Sequence, residues 1–395
     1  MRQGWEYKKL GDVCTIERGG SPRPITDYIT DSPDGVNWIK IGDAKEGSKY
    51  ITSTKEKIKK EGVKKSRYVH KGDFILSNSM SFGRPYILDV DGCIHDGWLV
   101  IHDDNNVFIK DYLYYLLASP VMYAKFNQLA VGGVVNNLNS ALVRKVEIPI
   151  PNMTTQEVIV KELDKINKLI SLKKQQLADY DNLAQSIFYE MFGDPLENEK
   201  GWEVKKLSNN VQEMFLGPFG SALKVDSYVD KKDAFCMVYE QKHAIQGRLD
   251  LDNHFINEEK YNSLRRFEVK GGDFIMSCRG TIGKLYKLPN DAPKGIIHPS
   301  LMKIRIKEDV YDSTYFKYML VKIVANERTN GNCVQMAITA KELGKKTLPL
   351  PPLPLQQAFA QRIELIEQQK AEIQSTIADL ETLLASRMQY WFFGF

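Results

Sequence analysis

Residues 154–192 read TTQEVIVKELDKINKLISLKKQQLADYDNLAQSIFYEMF, and residues 354–393 read PLQQAFAQRIELIEQQKAEIQSTIADLETLLASRMQYWFF. These are one long helix written twice in one register. Leu163 matches Ile363, Ile166 matches Ile366, Leu177 matches Ile377, Asp179 matches Asp379, Leu183 matches Leu383, Ser186 matches Ser386 and Phe192 matches Phe392. A register held over about forty residues without an insertion means that helix length itself is constrained. In the first copy Leu163, Ile166, Ile170, Leu177, Tyr180, Ala184, Ile187 and Met191 recur at alternating steps of three and four; in the second, Ile363, Ile366, Ile373, Ile377, Leu380, Leu384 and Trp391 do so. That spacing is a coiled-coil stripe, interrupted only by Lys173, Lys370 and Arg387. Each helix can pack on its own domain instead, but equal length and matched register favour mutual pairing. If they pair antiparallel about a pseudo-two-fold axis, two domains stand at opposite ends of a rod, about 38 residues spanning roughly 57 Å.

The helix ends are legible as well. Thr154-x-x-Glu157 has the form of a capping box, Pro354 suits a first helical turn, and Gly193-Asp194-Pro195 forms a stop. The duplication extends outward from the helices. Gly4-Trp5-Glu6-Tyr7-Lys8-Lys9-Leu10 returns as Gly201-Trp202-Glu203-Val204-Lys205-Lys206-Leu207, and Gly72-Asp73-Phe74-Ile75-Leu76-Ser77 as Gly272-Asp273-Phe274-Ile275-Met276-Ser277. Ile94-His95 pairs with Ile297-His298, and Glu147-Ile148-Pro149-Ile150-Pro151 with Thr347-Leu348-Pro349-Leu350-Pro351. The offset drifts, so loop lengths differ while the skeletons agree. The expected order is a domain at 1–152, a long helix at 153–193, a second domain at 194–352 and a second long helix at 353–395. Within each domain, β-rich runs after Gly-Asp turns predict strands, and 111–118 and 313–325 have helical spacing. The class is α+β: two pseudo-symmetric domains, each with a curved, mostly antiparallel sheet, separated by two long helices forming an antiparallel coiled coil.

At 395 residues and 43% hydrophobic content the chain has room for two or three cored domains. No apolar run approaches a membrane span and the N-terminal residues lack a signal-peptide core, so a cytoplasmic protein is expected. The five cysteines are scattered, with no CxxC pair, and read as reduced thiols. A net charge of +4 neither requires nor excludes nucleic acid. Two related but unequal domains at a fixed separation suit a target with two elements at set spacing, and duplex DNA is such a target.

The Gly-Trp-Glu-x-x-Lys-Leu opening of each half, the Gly-Asp-Phe-Ile-x-Ser strand, the Pro-x-Pro before a Gln-led long helix, and Phe188-x-x-Met191-Phe192-Gly193-Asp194-Pro195 resemble the specificity subunit of type I restriction-modification systems. The resemblance covers essentially the whole chain. It implies a non-catalytic subunit without cofactors of its own, whose two domains each read half of an asymmetric bipartite site in double-stranded DNA while the helices set the gap. It further implies two modification subunits that methylate adenine with S-adenosylmethionine, and restriction/translocase subunits that can join; ATP and Mg are expected on those partners.

DNA binding needs cations for phosphates and side chains that reach base edges. Ser21 and Arg23 lie in the turn-rich 19–24 loop, and Ser221 and Lys224 in its counterpart at 216–224; Ser21-Pro22 fits the hydroxyl-proline pattern of the family, and Ser221-Ala222 does not. Ser79, Arg84, Arg279 and Lys284 follow the Gly-Asp strands, and Lys45, Gln241 and Lys242 follow earlier strands. Lys55, Lys57, Lys59, Lys60, Lys64, Lys65 and Arg67 form the densest basic run, with Lys260, Arg265, Arg266 and Lys270 as its counterpart. His95 and His298 match but have no second ligand at metal spacing, which reads as structural hydrogen bonding. Neither an amino-methyltransferase motif nor a phosphate loop is present. Pro33-Asp34 with Asp43-Ala44-Lys45 imitates a metal-dependent nuclease pattern in one half only. A nuclease, and a coiled-coil scaffold for proteins alone, therefore stand as the competing classes, as does a recognition subunit serving a fused nuclease-methyltransferase.

Overall fold

The computed structural model describes residues 2–45, 47–78, 83–131, 138–329 and 337–394. The chain forms two compact units, Met1–Gln175 with Ile373–Phe395, and Gln176–Glu372. Each long helix, Met153–Phe192 and Leu353–Phe393, is shared between them.

In the first unit the strand Phe74–Ser77 is buried throughout and lies at the centre of a five-stranded sheet ordered Thr15–Arg18, Trp98–His102, Phe74–Ser77, Pro85–Leu88, Tyr50–Ile51. Successive side chains of a strand point to opposite faces. Phe74, Leu76, Leu99 and Ile101 accordingly enter one core with the helix Lys110–Ala118, while Ile75, Trp98 and Val100 enter another with Ile39, Val69 and Ile94. Those last three come from a second five-stranded sheet, ordered Ile29–Thr30, Glu56–Ile58, Val36–Ile39, Gly92–Ile94, Arg67–Val69. The second unit repeats this with four strands per sheet. Phe274, Met276, Met302 and Ile304 face the helical core, and Ile275 and Leu301 face Met237, Tyr239 and Ile297 of the other sheet. The expected single curved sheet is therefore two sheets, plus a ribbon pairing Glu6–Lys9 with Glu147–Ile150 and, in the second unit, Val204–Lys206 with Thr347–Pro349. Both faces of the Gly-Asp-Phe-Ile-x-Ser strand are apolar because both are covered. Pairing is mostly antiparallel, but Cys93–Ile94 runs parallel to Trp38–Ile39, and Gly295–Ile297 parallel to Met237–Tyr239.

Two repeated glutamines explain the Gln-led helix starts. Gln156, buried, accepts the Ile109 amide at 2.8 Å and donates to the carbonyls of Val107 (2.9 Å) and Pro151 (3.1 Å). Gln356 accepts from Asp312 N (2.9 Å) and donates to Val310 O (3.1 Å) and Pro351 O (2.8 Å). Each therefore ties a helix start to its domain. The first helix is capped by Asn152, whose side chain accepts the Thr155 amide at 2.8 Å, so the expected Thr154–Glu157 box is corrected: the helix already begins at Met153. Pro354 does sit in the first turn of the second helix, and Gly193 and Gly394 end the two helices with φ of 76° and 83°.

Within the first unit the helix segments run antiparallel: Glu162 pairs with Arg387 and accepts Trp391 Nε1 at 3.0 Å, and Lys174 meets Glu381 at 2.8 Å. Within the second, Lys370 meets Asp181 at 2.8 Å. Two of the polar intruders in the seam, Lys370 and Arg387, thus each have a carboxylate on the facing helix. The segments also enter the domain cores. Met388 and Phe392 pack with Leu163 and Tyr112 in the first unit, and Ala184, Phe188 and Phe192 with Phe359, Ile363 and Ile366 in the second. Of the seam residues, Leu163, Ile166, Ile170, Ile363, Ile366, Ile373 and Ile377 are buried, and Leu177, Tyr180, Ile187, Leu380 and Leu384 half-buried.

Among the described residues, the buried ionic cluster lies in the second unit. Lys303, 4% exposed, contacts Glu213 at 2.6 Å and Asp273 at 3.5 Å, while Arg305 holds both oxygens of Asp273 at 2.6 and 2.8 Å. Register places Val100 of the first unit, opposite Ile75, where Lys303 stands opposite Ile275.

Candidate nucleic-acid interface

Gly19 and Gly217 fix the first candidate loop of each unit. A Cβ on Gly19 would lie 2.3 Å from His95 O, and one on Gly217 would lie 2.2 Å from His298 O. Only glycine permits so close an approach, and the chain turns there into the loop that carries Ser21 or Ser221. In the first unit Ser21 Oγ donates to Asp96 Oδ1 at 2.8 Å, Arg23 reaches Asp96 Oδ2 at 3.4 Å with its side chain 80% exposed, and Arg18 Nε donates to Asp96 O at 3.0 Å. Ser21, Arg23, Trp38, Lys40, Glu56 and His95 help line a cavity of about 560 Å³. Burial opposes ionisation of Asp96, but the Ser21 hydroxyl, His95, Arg18 and Arg23 outweigh it and hold the carboxyl below its usual range. Burial pushes His95 down from its ordinary 6.5 against the pull of Asp96, with Lys40, Arg18 and Arg23 adding to the fall. The imidazole is therefore neutral at neutral pH, and its Nδ1 accepts the Gly97 amide at 2.9 Å.

Arg84 lies elsewhere. Its backbone brackets Ser77, and it borders a hollow of about 370 Å³ with Ser48, Tyr86, Tyr114 and Tyr123. Lys45 is exposed one turn before that hollow, its carbonyl accepting the Ser48 amide at 3.1 Å. Ser79 lies outside the described residues. The basic run is not one helix face: it crosses the strand Glu56–Ile58, the short helix Lys60–Val63 and the strand Arg67–Val69. Several members are engaged, Lys59 with Asp27 O (2.8 Å), Lys65 with Tyr28 and Arg67 with Glu17 (2.7 Å). Asp43, of the nuclease-like pattern, accepts the amides of Lys40 (2.8 Å) and Lys55 (3.1 Å), a turn-closing role.

In the second unit Ser221 and Lys224 are exposed beside Phe219, which is 88% exposed, and Leu223 anchors the loop in a buried cluster. Gln241 Nε2 donates to Arg279 O at 2.7 Å, tying the loop after Phe274–Ser277 to the helix Gln241–Gln246. Lys242 meets Glu240 at 2.7 Å, and Arg279 is exposed. Burial lowers His298 first, Glu240 opposing, and Arg279 and His254 lower it further. Lys284 borders a separate hollow of about 540 Å³ with Tyr286 and Lys317. Arg84 and Lys284 do occupy matched positions, their carbonyls accepting the Ser77 and Ser277 amides. Asp43-Ala44-Lys45 and Glu240-Gln241-Lys242 do not: the matched strands end at Ile39 and Tyr239, so Glu240 corresponds to Lys40. Lys40, Glu56, Asp96, His254 and Phe219 were not singled out from sequence; Glu240 stood there only as part of the candidate run Glu240-Gln241-Lys242, and only an alignment anchored on these strand ends would have matched it to Lys40. Among the described residues no group of three His, Cys, Asp or Glu is placed to hold a metal, and no helix is long and apolar enough to cross a membrane.

The duplicated α+β framework and its paired helices fit the class of DNA specificity proteins, and comparison with known proteins agrees. The family described as type I restriction modification DNA specificity domain matches residues 2–179 and 227–381. The chain belongs to this family of type I restriction-modification specificity subunits. It is 24% identical to the type I restriction enzyme MjaIX specificity subunit of Methanocaldococcus jannaschii over 99% of this chain and 93% of that one. It is 25% identical to the putative MjaX specificity subunit of the same organism over 92% and 87%. A chain solved in a study of type I R-M complex assembly and conformational transition shares the fold, with a TM-score of 0.63, 18% identity and coverage of 99% and 98%.

Proposed function

We propose that this chain is the non-catalytic sequence-reading subunit of a cytoplasmic type I restriction-modification complex. Each of the domains 1–152 and 194–352 reads one half of an asymmetric bipartite site in double-stranded DNA, and the helices at 153–193 and 353–395 set the gap and dock two methyltransferase subunits. The observation that carries this reading is that two units share one backbone framework while their matched strand ends and loops bear different side chains. Family membership supports it, and so do helices of 40 and 41 residues. Leu169, Leu172 and Leu365, exposed on the helices, supply apolar surface for docking. S-adenosylmethionine, ATP and Mg act on the partner subunits.

Single-molecule methylome sequencing of the host with and without this gene tests the reading. A bipartite methyladenine motif disappears on deletion; an unchanged methylome contradicts it. Sequence-dependent duplex binding that weakens with salt distinguishes this function from a protein-only scaffold.

A further inference from the structure

At matched positions the two units carry a nitrogen base and a carboxylate in opposite order. Lys40 follows the strand Val36–Ile39, and its amide donates to Asp43 at 2.8 Å; Glu240 follows Cys236–Tyr239, and its amide donates to His243 Nδ1 at 2.8 Å. On the next strand Glu56 stands opposite Trp38, and His254 stands opposite Val238. From the other side the His95 amide donates to Ile39 O at 3.0 Å and the His298 amide to Tyr239 O at 2.8 Å. Three independent neighbours therefore equate Lys40 with Glu240 and Glu56 with His254. In the first unit the Lys40 ammonium meets the Glu56 carboxylate; in the second the Glu240 carboxylate meets His254 Nδ1 at 3.0 Å and Lys242 at 2.7 Å.

In the first unit the pair borders an open cavity; in the second Glu240 is mostly covered, 17% exposed, and His254 is 44% exposed. Lys40 and Glu56 line the same cavity as Ser21 and Arg23 and are partly exposed. An ion pair this exposed contributes little to stability, and the backbone amides of Lys40 and Glu240 are what the neighbouring turns hold. An ammonium has three donors and a carboxylate about four acceptor sites, so each keeps capacity for a ligand while paired.

We infer that this reversed pair makes the half-sites differ, Lys40 donating to an acceptor edge such as guanine N7 and O6, and Glu240 accepting from the exocyclic amine of cytosine or adenine. The inference rests on the DNA-reading function proposed above. Neutral backbone geometry with opposite polarity is what would let one framework ask complementary questions of two bases.

The test uses the full chain with its methyltransferase partner, selecting methylated duplexes from a random library. The variants are Glu240→Gln, nearly the same shape, and Lys40→Glu combined with Glu56→Lys, each checked for a cooperative melting transition. Each should lower discrimination about tenfold at one position, confined to one half-site and different for the two variants. Lys40→Arg, which keeps the donors, should retain the original base. Folded Glu240→Gln protein with an unaltered motif, or altered preference spread over both half-sites, overturns the assignment. No motif from the unmodified chain overturns the DNA-reading function instead, and the assignment with it.

Discussion

Asp273 shows how far a single buried carboxylate can matter. It is 1% exposed and held by both Arg305 and Lys303, so Asp273→Asn leaves two cations short of a partner where water cannot replace it. A loss of about 3 kcal/mol in denaturant titration is expected, confined to the second unit; a loss near zero would show that water reaches the cluster. Phe219 is the opposite case, a ring exposed on an anchored loop beside Lys224. Phe219→Ser should leave stability unchanged and weaken duplex binding by removing an apolar contact to base edges, read by titration against the methylated motif. Protonation adds a third expectation. His95 and His298 are held below their ordinary 6.5, so the unfolded chain takes up protons first and stability falls as pH drops through that value. Asp96 and Glu240 are held below 3.8 and 4.5, and their contribution, present above those values, is lost as pH falls through their lower folded values. Melting midpoints should therefore decline in two acid stages, and a flat profile from about pH 7 to about pH 5 would contradict the first.

The long helices are the elements that sequence described best, because a seam at steps of three and four and a glycine stop are local signals. Their docking was less legible. Gln156 and Gln356 stand in the sequence as ordinary polar residues, yet each satisfies one amide and two carbonyls of the adjoining chain. Gln156→Leu should cost about 3 kcal/mol, because the shape is kept while three backbone groups lose their partner; a neutral result by denaturant titration would mean that water substitutes. The strands were found from their β-rich runs, but not their division into two sheets, since Phe74–Ser77 is apolar on both faces and alternation cannot say what covers each. The cleft residues were hardest. Lys40 and Glu240 gain meaning only through Asp43, His243 and the cross-strand register, which no short motif records. If the helices set a gap, inserting four residues near Lys173 and four near Ile373 should lengthen each by about 6 Å and change the spacing of the methylated motif while both half-sites persist. Unchanged spacing in the methylome would dismiss the ruler.

For the whole chain, duplication has produced units that are each completed by the other repeat's helix end. Phe392 packs against Tyr112 with ring centres 5.4 Å apart, and Phe188 against Phe359 at 5.6 Å. Phe392→Ala should cost about 3–5 kcal/mol and raise hydrogen exchange within 1–175, whereas Phe188→Ala should do so within 176–372. Exchange rising in the opposite unit, or evenly, would refute this division. The first unit draws on Ile373–Phe395 as well as Met1–Gln175, while the second is one uninterrupted stretch, Gln176–Glu372. On the ribosome, the domain translated first must therefore wait for Ile373–Phe395 to emerge before its core can close, and the one translated second can mature ahead of it.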